Sequence, residues 1–247
     1  MIFFFVCLKK TWTVLSKEIR NIFCHPSIYI SIFVFSVGSA LYFFLGGQFF
    51  VPGLGSTDLR FFFNAMPYLF VLIIPALTMG QWEQSALLFD ESLPITEGVL
   101  VFSKWMAALI ASVVILIPGF AVPFFVNIFG NLEVAQVFTG YFGIICFQAA
   151  ACGLGIFLSI LCGSPGVAFL VTSLVLGLMC LIHLVPVYLP VTNWIGELCK
   201  QLSFAWHFDA AGKGIIDFRD VFFYAVVTTA LLLITTEIIK IKKRGCL

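Results

Sequence analysis

From Val134 to Gly196 the chain carries no Asp, Glu, Lys or Arg, a run of sixty-three residues. A soluble domain cannot leave so long a stretch uncharged, because its surface must face water and roughly 25% of its residues are charged. A single helix of that length is also excluded, since about 20 mostly apolar residues cross a bilayer. The run must therefore divide, and Gly163-Ser164-Pro165-Gly166 is the turn that divides it. The rest of the chain follows suit: 62% of its 247 residues are hydrophobic and 10% charged, with a mean hydropathy of +1.12. In hydrocarbon a helix satisfies its own backbone polar groups. The expected fold is an all-α membrane protein of six transmembrane helices, a single domain over residues 1–247.

The expected spans are 28–46, 61–82, 105–125, 139–162, 166–189 and 221–239. Gly46, Gly47, Pro52 and Gly53 end the first. Pro67 and Pro75 lie in the second, where membrane helices tolerate proline and bend at it. Lys104 marks the start of the third, and Asp217 is placed to cap the sixth. Between the spans lie a loop at 83–97, an outer segment at 190–220 and a basic tail at 240–247. Met1 to Leu8 is apolar but short, and Lys9 and Lys10 follow it rather than precede it, so it reads as a retained N-terminus and not a signal peptide.

Lys and Arg set the orientation. Lys9, Lys10, Lys17, Arg20, Lys104, Lys240, Lys242, Lys243 and Arg244 fall on one side of this scheme, and Arg60, Lys200, Lys213 and Arg219 on the other. Both termini are thus expected in the cytoplasm. Within Lys9 to Cys24 the residues Trp12, Leu15, Ile19, Ile22 and Phe23 recur at helical spacing, which predicts an amphipathic helix on the inner membrane surface. A second such helix is expected over 193–208, with Trp194, Leu198, Leu202 and Trp206 on one face.

Little in the sequence points to catalysis. The middle of every expected span lacks Asp, Glu, Lys and Arg, and Glu237 reads as an acid reaching the interface beside the basic tail. His183 follows Cys180 by one turn, yet two ligands do not complete a metal shell, so a hydrogen-bonded histidine facing other helices is expected. Cys146, Cys152, Cys162 and Cys180 lie in apolar runs and no C-x-x-C occurs, so neither a disulfide framework nor a thiolate metal site is expected. There is no phosphate-binding G-x-x-x-x-G-K-[ST], no G-x-S-x-G and no H-E-x-x-H. The net charge of +1 calls for no nucleic-acid partner. The loop at 83–97 stands out, since it is acidic yet holds Leu87, Leu88, Phe89 and Leu93. A short helix there would offer an apolar face to a soluble protein.

Several stretches, in order and across nearly the whole chain, resemble one family. They are His25-Pro26-Ser27-Ile28-Tyr29, Pro75-Ala76-Leu77-Thr78-Met79 with Trp82-Glu83, Leu93-Pro94 with Ser103-Lys104, Gly140-Tyr141-Phe142-Gly143, Gly155-Ile156-Phe157-Leu158-Ser159, and His207-Phe208 with Gly214-Ile215-Ile216-Asp217 and Arg219-Asp220. Together they resemble a permease subunit of the ABC-2 type, in the branch of gliding-motility-type and copper-maturation-type permeases. The resemblance implies a half-transporter of the inner membrane. Two permease subunits, identical or related, would pair with two separate ATP-binding subunits that hold ATP and magnesium. This chain itself would carry no cofactor and no catalytic residue.

The same resemblance makes the N-terminal helix an elbow and the 83–97 loop a cytoplasmic coupling helix. Glu83, Gln84, Leu87, Leu88, Phe89, Asp90 and Glu91 would contact the ATPase. It gives Pro26, Pro94, Lys104, His207, Asp217, Arg219 and Asp220 structural parts. One departure falls in the coupling loop, where relatives carry a longer acidic-basic stretch and G-T-x-E but this chain has only Glu83-Gln84-Ser85-Ala86-Leu87-Leu88. The competing readings are a secondary transporter, an intramembrane enzyme relying on His183 or a cysteine, and an assembly subunit that binds an ATPase without moving a substrate.

Overall fold

The structure, a computed structural model, describes residues 2–46, 59–82, 96–129, 133–188 and 193–245. Every regular element among them is helical. Helix α1 spans Ile2–Cys24, α2 Pro26–Leu41 (continued by a π turn, Tyr42–Gly46) and α3 Arg60–Thr78. Helix α4 spans Glu97–Leu116, and a 3-10 turn at Ile117–Phe120 joins it to α5, Ala121–Phe129. Helices α6, Val134–Leu161, and α7, Pro165–Leu181, follow. After a 3-10 turn come the short α8, Val185–Tyr188, then α9, Asn193–Leu202, α10, Phe204–Gly212, and α11, Phe218–Gly245. Among the described residues six helical stretches are long and apolar enough to cross a membrane.

Local chemistry explains where these helices start. Pro26 and Pro165 open α2 and α7, where a missing N–H costs nothing because the first turn has no acceptor for it. Asp217 caps α11: its carboxylate accepts from the Arg219 N–H at 2.9 Å, and its carbonyl accepts from Val221. The 3-10 turn between α4 and α5 falls at Pro118-Gly119, where the proline removes a ladder donor. Helix α3 nevertheless runs through both Pro67 and Pro75.

Helix α6 is the centre of the bundle. It packs against α3, α4, α7, α10 and α11, and α3 packs in turn against α2 and α7. Helices α3 and α6 are mostly buried, whereas α2, α7 and α11 leave most of their apolar surface outward. Small residues let α6 make these contacts. A Cβ on Gly140 would strike the Phe63 ring of α3, one on Gly143 the Ala211 Cβ of α10, and one on Gly155 the Thr78 side chain of α3.

The helices differ from the expected elements in several places. The helix that carries the third expected span begins before Lys104: α4 starts at Glu97, within the expected loop, so Lys104 lies two turns inside a helix. The apolar residues from Val99 to Phe102 extend the helix, and Glu97 is anchored by Lys243 at 3.2 Å. The sixth helix outruns 221–239, starting at Phe218 and continuing through the basic tail to Gly245. The amphipathic segment at 193–208 is not one helix. It breaks at Ser203, whose hydroxyl accepts from the Trp206 N–H at 3.3 Å and starts α10. On α1 the buried face is Val14, Glu18 and Ile22, with Leu15, Ile19 and Phe23 beside it, while Trp12 is exposed.

Candidate functional site

The expected partner-contact residues belong to the 83–97 loop. Glu83, Gln84, Leu87, Leu88, Phe89, Asp90, Glu91 and Pro94 lie outside the described residues. The anchors on either side of the loop are described, and they converge. Residues 79–82 leave the end of α3, and the Trp82 indole N–H donates to the Ile156 carbonyl of α6 at 3.2 Å. Lys104 on α4 holds its ammonium 5.1 Å from the Trp82 ring centroid and 3.1 Å from the Glu18 carboxylate of α1. Lys104 is 2% exposed and Glu18 4%. One lysine therefore binds the N-terminal helix to both walls of the loop.

A buried charge is stable only when paired and hydrogen-bonded. Here the carboxylate and the indole face meet the lysine from two elements. Glu18 is no part of any motif, but the sequence carries its signal: it is the single acid between Val14 and Ile22, four residues from each, on what is otherwise an apolar stripe. Trp105, one residue after Lys104, donates to the Ala149 carbonyl at 2.9 Å and ties α4 to α6 as well.

The opposite end of the bundle holds a second constellation. His207 on α10 is buried, with Nδ1 2.6 Å from the Asp220 carboxylate of α11 and Nε2 2.9 Å from the Gln201 carbonyl of α9. Its ring stacks on Phe223 with centroids 4.0 Å apart. Two residues thus meet although thirteen positions apart, and they close three helices around one imidazole. Asp217 caps the same helix α11, and Arg219 is exposed. Pro26 opens α2 beside the exposed His25.

His183 lies just after α7 with Nδ1 2.8 Å from the Cys180 carbonyl and 3.1 Å from the Ser203 hydroxyl. It lines a cavity of about 260 Å³ with Asn64, Tyr68, Trp206 and Asp209. Asp209 is paired with Lys213. Among the described residues no three His, Cys, Asp or Glu side chains gather as a metal site would require. Glu237 is exposed and paired with Lys240 at 2.7 Å. At the α1 end Lys242 donates to the Ile160 carbonyl at 2.7 Å, capping α6 with a cation where the helix dipole favours one.

No family model and no curated protein matches this chain. Among the described residues one hydroxyl lies beside an imidazole, Ser203 at 3.1 Å from His183, and that hydroxyl also donates to the Cys180 carbonyl and caps α10. The described residues also form a buried junction, in which α1, α4 and the residues that follow α3 meet around Lys104 and are held to α6 through Trp82.

Proposed function

We propose that this chain is the membrane-spanning permease subunit of an ABC-2 type transporter. It couples ATP hydrolysis on a separate ATP-binding subunit to the export of a substrate whose class the residues leave open. The observation that carries this reading is the ordered series of motifs from His25-Pro26 to Arg219-Asp220, spread over nearly the entire chain. Supporting it, the elements that flank positions 83–95 in the chain are tied together, since Trp82 and Glu18 of α1 both meet Lys104 of α4. A pull on that segment would reach α1, α3 and α4 together.

In this reading the chain lies in the inner membrane with both ends and the 83–95 segment in the cytoplasm. A second permease copy or a related chain completes the transporter, and the short coupling segment selects its own ATPase. Binding of that partner drives a change only so far as it prefers one arrangement of the helices. The test is co-purification with a stand-alone ATPase encoded beside this chain. Wild-type protein should retain the ATPase through size-exclusion chromatography, and Leu88→Asp with Phe89→Asp should lose it. Retention by the double variant would overturn docking through this segment.

One observation favours a second reading, a secondary transporter. The cavity holding His183, Asn64, Tyr68 and Asp209 places polar groups among apolar helices, as carriers do around a substrate. Uptake or efflux driven by an ion gradient in vesicles without any ATPase would decide for it.

A further inference from the structure

A second cavity, of about 150 Å³, opens at the α1 end of the bundle, and neither reading above uses it. Its walls combine two kinds of polar end. Helices α2 and α7 start there, with Ser27 and Pro165 in the lining, and neither start has a side-chain cap. Their first-turn N–H groups and positive dipole ends suit an anion. Helix α3 ends there through Ala76, Leu77 and Met79, and Glu18 adds a carboxylate; terminal carbonyls and an acid suit an ammonium.

Gln81 is the independent sign that something binds. It lines the same cavity, is 7% exposed, and neither its amide nitrogen nor its amide oxygen has a hydrogen-bond partner among the described residues. A buried amide left wholly unmet is costly, and native structures seldom keep one without a ligand or water. Its NH₂ can only donate and its oxygen can only accept. It therefore asks for an acceptor and a donor at once.

We infer that this cavity binds the headgroup of an aminophospholipid, a phosphodiester joined to a primary ammonium. The phosphodiester lies against the starts of α2 and α7 and takes the Gln81 NH₂. The ammonium donates to the Gln81 oxygen, the last carbonyls of α3 and the outer face of Glu18, whose charge is already balanced by Lys104. A lipid suits better than a soluble zwitterion, because the flanking faces are exposed and apolar: Ile30 and Phe33 on α2, Leu170 and Leu174 on α7. Acyl chains can run down these faces from a headgroup held between the helix ends.

The experiment is native mass spectrometry of the delipidated full chain titrated with single lipids of one acyl composition. Phosphatidylethanolamine should bind on the order of tenfold more tightly than phosphatidylcholine, whose nitrogen has no hydrogen to donate, and than phosphatidylglycerol, which has no cation. Gln81→Leu should erase most of that preference while helix content by circular dichroism stays unchanged. Equal binding of the three lipids by the wild-type chain overturns the inference, and that result does not depend on how the variant folds. A preference undiminished in Gln81→Leu also overturns it. If glycerophosphoethanolamine or inorganic phosphate alone competes as well as the lipid does, the site belongs to a soluble ligand and the lipid assignment fails.

Discussion

Lys104 shows how much one side chain can organise. Hydropathy puts a lone cation at the edge of an apolar run; the fold puts it inside, against a carboxylate eighty-six positions earlier. Removing one member of a buried pair strands the other charge and costs about 3–5 kcal/mol, whereas replacing both with apolar groups costs less and is sometimes neutral. Lys104→Met and Glu18→Leu are each expected to lower the unfolding midpoint in detergent, and the double variant to recover much of the loss. A double variant as unstable as the sum of the singles would show that the two residues act independently. His207 follows the same logic with different partners. Its position was legible as a motif, but the aspartate that meets it was separable from Asp217 only once the start of α11 was known.

Among the helices, α6 is the one that the others pack around. Its sequence has almost no amphipathic period, because most of it is buried and its exposed stripe of Phe138, Phe142 and Ile145 is as apolar as the rest. Polar side chains on and around it are spent instead on neighbouring backbones: Gln136 on the Gly212 carbonyl at 3.0 Å, Thr139 on the Ala211 carbonyl at 3.0 Å, and Trp82 and Trp105 on its own carbonyls. Its glycines set how close the other helices come. Gly143→Leu should destabilise the protein by about 1–3 kcal/mol through overpacking against Ala211 and Phe208. Gly163→Ala, in the turn after α6 with no atom within 4 Å of its added methyl, should stay within about 0.5 kcal/mol of wild type. Fluorescence-detected thermal unfolding of the two variants separates a packing role from a general intolerance of side chains at glycine.

For the whole molecule, the proposed topology has six helices alternating in direction, which would bring both ends of the chain to one side. The contacts agree with that alternation, since the tail of α11 reaches the end of α6 through Lys242 and the start of α4 through Lys243. α1 lies against α4 at the same end. Reporter fusions or thiol labelling at positions 90 and 242 should report one side of the membrane and at position 200 the other. Opposite answers for 90 and 242 would remove the basis for an ATPase-facing segment. The exposed apolar faces of α2, α7 and α11 are then the surfaces left for lipid or for a second membrane chain.

Composition and the spacing of charges determined that this protein is a bundle of about six apolar helices, because hydrophobic transfer adds up residue by residue and needs no knowledge of neighbours. The turn at Gly163 to Gly166 and the cap at Asp217 were legible for a similar reason, each being a contest between backbone and side chain within a few residues. Partnership across the chain was not legible. Glu18 with Lys104, His207 with Asp220, and an unmet Gln81 between the starts of α2 and α7 depend on which helix faces which. Apolar helices of similar hydropathy pack by shape, and shape is settled by glycines and polar side chains meeting over long separations that no local pattern encodes.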